Sequence, residues 1–372
     1  MRVLLIARHF PPAVTGGARR PYLWAKGLEA NGVEVFTVAP DIPADLTGSA
    51  EPHAFRDPST ALPGKPGLRD HARNLLLWPD PDIRWTRRAA RLASETCPFT
   101  PDWIITTSPP ESVHAAGPLL LKHWPDARWA VDARDHWLVR PFRKQRDNPV
   151  RRAIEARQAR AMLARASAVF AVNDLIAKEY AGYAPHAKTG VLAHFVMPAA
   201  EPYAFEGPGP HLVHTGSFKM SDPDVSIDPL LTAFEAAHAR KPELRLHLAG
   251  RLREDEAARI EASPASDAII LHGVVPLETA LAMQAGADAL LVAAAPNAPV
   301  PPGKYAEYRA SGAAIIPVGD GPWRPAIDRD DRPDAERLLA VRPGRQDRRE
   351  PDATDHVMAM AGVIDTLNAL NG

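Results

Sequence analysis

Short apolar runs recur along this chain, and the stretches between them return to apolar positions every three or four residues. In the first half the runs are Val3–Ala7, Val33–Ala39, Trp103–Ser108, Trp129–Asp132 and Ala168–Val172. Runs with so little polar alternation predict strands buried on both faces, as in a parallel sheet. Helical periodicity over Arg19–Ala30, Pro110–His123 and Val150–Ala166 supplies crossovers between them. The alternation lapses in MPAAEPYAFEGPGP (Met197–Pro210), a proline-rich segment that predicts a linker.

A second series follows. Strands are predicted at His211–His214, Leu244–Leu248, Ala268–Leu271, Ala289–Ala293 and Ala313–Pro317. Helices are predicted at Asp228–Ala239, Glu254–Ala262, Glu278–Gly286 and Lys304–Ala310. Arg324–Pro351 is charged and proline-rich and is expected to be poorly structured, and an amphipathic helix over Ala353–Leu370 closes the chain. The fold class is thus α/β, with an N-terminal Rossmann-like domain over residues 1–200, a second over 201–352 and a closing helix over 353–372. In such sheets ligands are held at the carboxyl ends of the strands, so the strand ends are where chemistry is sought.

Composition narrows the classes. The chain has 372 residues, 45% hydrophobic and 24% charged, which suits two soluble domains. Its single cysteine, Cys97, excludes an intramolecular disulfide and fits a reducing cytoplasm. The opening MRVLLIARHF carries five apolar residues before Arg8, too few for a signal-peptide core, and no apolar run reaches the length of a membrane span. Up to residue 200 there are 27 Lys and Arg against 19 Asp and Glu, a net of +8; the remaining 17 against 26 give −9. A basic first half beside an acidic second half suggests an anionic partner for the first, although uneven surface charge alone would give the same count. No CxxC, HExxH, P-loop or G-x-S-x-G pattern is present, so no metal or cofactor is expected; no aromatic-basic platform suggests nucleic acid.

Candidate residues cluster at the predicted strand ends. In PPAVTGGARR, Gly16 and Gly17 allow close backbone approach before a helix N-terminus, which favours an anion; a tight βα turn would need them equally. WAVDARDHWL crowds Asp132, Arg134, Asp135, His136 and Trp137 at one strand end, and an Asp132–Arg134 pair is one structural reading of it. DWIITTSPPESVH adds Ser108, a natural helix cap, and His114 one turn on. In the second half HTGSFK ends a strand with Gly216, Ser217 and Lys219, and LHLAGR ends the next with Gly250 and Arg251. Two cations at neighbouring strand ends suit a diphosphate. PPGKYAEYRASG then enters a helix through Gly303 and Lys304, with Glu307 one turn in, able to accept two hydrogen bonds from a vicinal diol such as a ribose.

Together TGGARRPYLWAKGLEANGVEV, DWIITTSPP, VDARDHW, HTGSF, LHLAGR and PPGKYAEYRASG resemble the GT-B glycosyltransferases of the large retaining group, family 4, and among them bacterial enzymes of surface and exopolysaccharide synthesis. The P-x-K-x-x-E-Y stretch is the most specific element. The resemblance implies two Rossmann-like domains facing each other across a cleft, with the C-terminal helix returning to the N-terminal domain. It implies metal-independent transfer, with retention, from a nucleotide diphosphate-sugar to a glycan or polyprenyl-pyrophosphate-linked acceptor. Gly216, Ser217, Lys219, Arg251, Gly303, Lys304 and Glu307 would bind the donor; Gly16, Gly17, Asp132 and Trp137 would line the cleft near the acceptor. Asp135 or His114, with Arg134, would lie nearest the reacting centre. Two positions depart from the pattern: Pro299 stands eight residues before Glu307 where a glutamate is usual, and His194-Phe195 stands where asparagine-glycine is usual. Two rivals remain open, a nucleotide-sugar epimerase and a degenerate nucleotide-sugar binder. Arg84, Arg87, Arg88 and Arg91, with Arg140, Arg143, Lys144, Arg146, Trp78 and Trp85, would suit an anionic membrane surface, a lipid-pyrophosphate acceptor, or simply a solvated arginine face over packed tryptophans; the first implies a cytoplasmic protein with peripheral contact at the inner face.

Overall fold

β1 (Arg2–Ala7) has five of its six residues buried, and the strand beside it, β4 (Trp103–Thr107), is buried throughout. This is what an apolar run flanked by crossover helices dictates. A computed structural model describes residues 1–13, 17–50, 79–138, 149–196, 201–344 and 355–371. The chain divides into two compact units, Met1–Phe195 with Asp355–Gly372, and Val196–Thr354.

Unit 1 is built on a seven-stranded parallel sheet of order β3-β2-β1-β4-β5-β6-β7. The further strands are β2 (Glu34–Ala39), β3 (Gly48–Ala50), β5 (Arg128–Ala133), β6 (Ala168–Ala171) and β7 (Lys188–Val191). The helices are α1 (Arg19–Ala30), α2 (Ile83–Thr96), α3 (Ala116–His123), α4 (Pro149–Leu163) and α5 (Asp174–Ala181). Trp24, Trp103, Trp129 and Trp137 are fully enclosed in this unit. The last helix of the chain, α11 (His356–Asn371), packs on α1, where Asn31 Nδ2 donates to Val357 O at 2.9 Å. The return of the C-terminal helix to the first domain is as the resemblance implies.

Unit 2 holds a five-stranded parallel sheet of order β10-β9-β8-β11-β12. Its strands are β8 (His211–Thr215), β9 (Arg245–Ala249), β10 (Ile269–Gly273), β11 (Ala289–Val292) and β12 (Ala314–Pro317). Its helices are α6 (Asp228–His238), α7 (Glu254–Glu261), α8 (Leu277–Gly286), α9 (Lys304–Ser311) and α10 (Asp334–Ala340). β8 lies between β9 and β11, so the winding reverses between β8 and β11. That is the switch point, where helices on either side of the sheet diverge and leave the strand ends accessible.

One expectation is corrected. Residues 324–344, read as poorly structured, contain α10 and a short turn at Arg324–Ala326. Arg337 is buried there and donates to Pro317 O and to Asp328, both at 2.8 Å. The charges organise the segment because they are paired rather than solvated. The remainder of that stretch, residues 345–351, lies outside the described residues.

Candidate functional site

In unit 2 the ends of β8 and β9 meet as two glycines. Gly216 has φ +108°, a conformation side chains rarely adopt, and a Cβ on Gly250 would lie 2.4 Å from Gly216 O. The bare backbone at these strand ends leaves room for the side chain of Lys304, the first residue of α9. A Cβ on Gly216 would stand 3.1 Å from Lys304 Nζ. That ammonium donates to His214 Nε2 at 3.0 Å, and His214 Nδ1 donates to Leu291 O of β11 at 2.9 Å. Burial, then the neighbouring ammonium, holds the His214 imidazole well below its ordinary range, so it is neutral. Burial pulls Lys304 down to about 8, against the opposing pull of Glu307.

The rest of α9 is fastened to the same strand end. Thr215 N donates to Tyr308 OH at 2.8 Å, and Gln284 Nε2 of α8 donates to Thr215 Oγ1 at 2.9 Å. The same amide lies 3.5 Å from Glu307 Oε2. Gly216, Lys304 and Glu307, three residues picked from the sequence, are thus brought to the switch point. Gly303 stands at the N-terminal cap of α9 and is exposed. His214 and Gln284 join them and were missed. Ser217 follows Gly216 directly, and Arg251 follows Gly250. Lys219 is turned to another use: its ammonium pairs with Asp255 at 2.8 Å and its N–H donates to Glu256 Oε1 at 3.0 Å, both on the first turn of α7. The bond to Asp255 raises the Lys219 ammonium above its ordinary value.

In unit 1 the end of β5 separates enclosed from accessible groups. Asp132 is fully buried, and its partner is Arg20 of α1 rather than Arg134: Nη2 and Nε of Arg20 reach the carboxylate at 2.7 and 3.0 Å. Thr107 Oγ1 donates to Asp132 Oδ2 at 2.7 Å, which the register of β4 on β5 makes possible. Arg20 also donates to Leu192 O and Ala193 O and lies over the Phe195 ring. His114 is wholly buried, bonded through Nδ1 to Thr106 Oγ1 at 2.8 Å and pulled down to about 3 by burial. Trp137 is enclosed beside it, with Tyr180 and Tyr183. Asp132, His114 and Trp137 therefore sit in the interior of unit 1, presenting no surface to a ligand in this conformation.

Arg134, Asp135 and His136 are partly exposed at that strand end. Arg134 Nη1 donates to Gly17 O at 2.9 Å, tying the loop after β1 to the end of β5, and burial pulls its guanidinium down. Gly16 lies outside the described residues. His136 pairs through Nδ1 with Glu179, which also accepts from Leu138 N at 3.0 Å and Tyr183 OH at 2.8 Å. The bond to Glu179 raises His136 against the effect of burial. Burial pulls the Glu179 carboxyl up, but the bonds from His136, Leu138 and Tyr183 outweigh it and hold the group below its ordinary value. The histidine's contribution to stability is present below its ordinary 6.5 and lost as pH rises through its raised folded value. The glutamate's is present above 4.5 and lost as pH falls through its lowered folded value. A double-mutant cycle with His136→Gln and Glu179→Gln is expected to show its largest coupling between pH 4.5 and 6.5, falling as pH rises through the histidine's raised value; a coupling independent of pH would exclude the charged pair.

Among the described residues no group of three or more His, Cys, Asp or Glu is placed to hold a metal ion, and no helix is long and apolar enough to cross a membrane. Arg84, Arg87, Arg88 and Arg91 are exposed on α2, whereas Trp85 is buried beneath Arg8. Trp78, Arg140, Arg143, Lys144 and Arg146 lie outside the described residues.

No protein-family model matches this chain, and no curated protein matches it. Solved structures do. Sucrose-phosphate synthase from Thermosynechococcus elongatus aligns over 99% of each chain at 15% identity, with a TM-score of 0.60. AviGT4, a glycosyltransferase of avilamycin A biosynthesis, aligns over 100% of this chain and 98% of its own at 19% identity and TM-score 0.55. A Listeria monocytogenes protein assigned provisionally as a UDP-N-acetylglucosamine 2-epimerase aligns over 99% and 96% at 11% identity and TM-score 0.61. These likenesses establish the fold class, that of the GT-B glycosyltransferases: two Rossmann-like domains, each on a parallel sheet.

Proposed function

We propose that this protein is a glycosyltransferase that binds a nucleotide diphosphate-sugar in unit 2 and transfers the sugar, with retention and without a metal, to a glycan or lipid-linked acceptor. The observation that carries the reading is the placement of Lys304 against Gly216 at the switch point, with Glu307 one turn along α9. A cation facing bare backbone at a strand end suits a diphosphate, and a carboxylate one turn deeper suits the ribose hydroxyls. Stabilising negative charge as the diphosphate departs is then the main catalytic device, supplied by Lys304 and Arg251. Lys219, engaged with α7, is a lesser contributor. On the acceptor side, assigned to unit 1, Arg134, Asp135 and His136 are the accessible groups. Contact of the α2 arginines with an anionic membrane surface belongs to the same reading, since a lipid-linked acceptor is presented there.

Thermal shift of the full chain against UDP, GDP and dTDP, alone and as their sugars, tests the proposal. One series is expected to stabilise the protein, and Glu307→Ala is expected to weaken that ligand by at least about tenfold, the lower bound for a hydrogen bond to a charged group. No shift with any of them would contradict the assignment. The fold likeness to an epimerase supports a second reading, conversion of the donor with no acceptor. Epimerised free donor in acceptor-free incubations would favour it; slow hydrolysis alone favours the transferase.

A further inference from the structure

We propose that His214 is the positioning residue for Lys304, fixing the ammonium at Gly216 before a ligand arrives. This rests on the donor reading above. The hydrogen-bond chain admits one arrangement. Leu291 O can only accept, so the His214 hydrogen sits on Nδ1 and Nε2 offers its lone pair. As an ammonium, Lys304 Nζ, 3.0 Å away, can only donate. A doubly protonated imidazole could not accept this bond and would set two cations in contact. The ring has no freedom to turn away: it is 1% exposed and stacked on Phe218 at 4.3 Å between centroids. Because β11 lies beside β8 only at this reversal of winding, the topology that makes the switch point also supplies the carbonyl that orients the histidine.

A lysine at the first position of a helix has many rotamers in water. The neutral acceptor selects the one that lies across Gly216, so ordering is already complete when a diphosphate binds. The titratable groups set against the ammonium are His214 from β8 and Glu307 from α9; α8 contributes the uncharged Gln284 amide, which bridges Thr215 and Glu307. Lys304 titrates near 8 in the free protein, and a neighbouring diphosphate raises that value. Below about pH 7 the lysine is already charged and itself takes up no proton on binding. Above about pH 8 binding must recruit one, so affinity falls as pH rises.

Calorimetric titrations of the full-length protein with UDP, GDP and dTDP, from about pH 6.5 to 9.5 and in buffers of different ionisation enthalpy, test this directly. For whichever diphosphate binds, affinity is expected to decline above about pH 8, beyond the titration of the ligand's own terminal phosphate, with measurable proton uptake. His214→Leu removes the acceptor and is expected to weaken binding about tenfold and move the decline to lower pH. His214→Asn keeps a carbonyl for Lys304 and an amide for Leu291 O and should stay within about threefold of the parent. Should the leucine variant fail to fold, His214→Phe, which keeps the stack on Phe218, carries the same expectation. A folded Leu or Phe variant with the parent's affinity and pH profile would overturn the positioning role and leave the donor reading intact. Failure of the parent to bind any of the three would overturn both.

Discussion

Arg20→Ala is expected to lower the unfolding free energy of unit 1 by about 3–5 kcal/mol, the cost of leaving a buried charge without its partner. Asp132 is fully enclosed, and beyond Arg20 its side chain takes a hydrogen bond from Thr107. The arginine also fastens the chain after β7 through Leu192 O and Ala193 O. Removing it strands the carboxylate and releases that segment together. Thermal unfolding should show a fall of roughly 10 °C or more for this unit. The double variant Arg20→Met with Asp132→Leu should recover much of the loss, because neither charge then remains to be desolvated. A single variant within about 1 kcal/mol of the parent would mean that water reaches Asp132.

Lys304→Met is expected to weaken nucleoside diphosphate binding about 1,000-fold. A unit charge about 4 Å from a phosphate contributes roughly 4 kcal/mol at a partly screened site, of which the uncharged side chain recovers nothing. The loss should show as a higher KM together with a lower kcat, because charge accumulates on the diphosphate as the sugar departs. Lys304→Arg should rescue little. Lys304 sets a compact ammonium on a single histidine nitrogen, a geometry that a planar guanidinium does not reproduce. Wild-type affinity in the methionine variant would remove Lys304 from the donor site.

The sheets were legible because their strands are apolar on both faces, and a short run of that kind between helical stretches fits little but an enclosed strand. β3 and β7 were not. Gly48–Ala50 and Lys188–Val191 are short edge strands, the first only half-buried and the second mostly exposed, so burial left no mark on their composition. Arg337 shows the opposite failure, a charge in a polar stretch that is buried because Pro317 O and Asp328 satisfy it. In the candidate site, Gly216, Lys304 and Glu307 could be picked from the chain because each stands next to a strand end or helix start. His214 could not. Inside HLVHT it reads as a core histidine, and its role depends on β11 lying beside β8 and on α9 returning to the same strand end. The true partner of Asp132 lies 112 residues away, beyond the reach of any local pattern, while Arg134 stood two residues off.

A nucleoside diphosphate is expected to bind where β8 and β9 end and α9 begins. Hydrogen–deuterium exchange of the full chain, with and without saturating UDP, GDP or dTDP, tests this most directly. With the diphosphate that binds, new protection is expected in the segments around Thr215–Lys219, Gly250–Leu252 and Gly303–Tyr308. Protection confined to residues of unit 1, or unchanged exchange in all three segments while the ligand is bound, would contradict it.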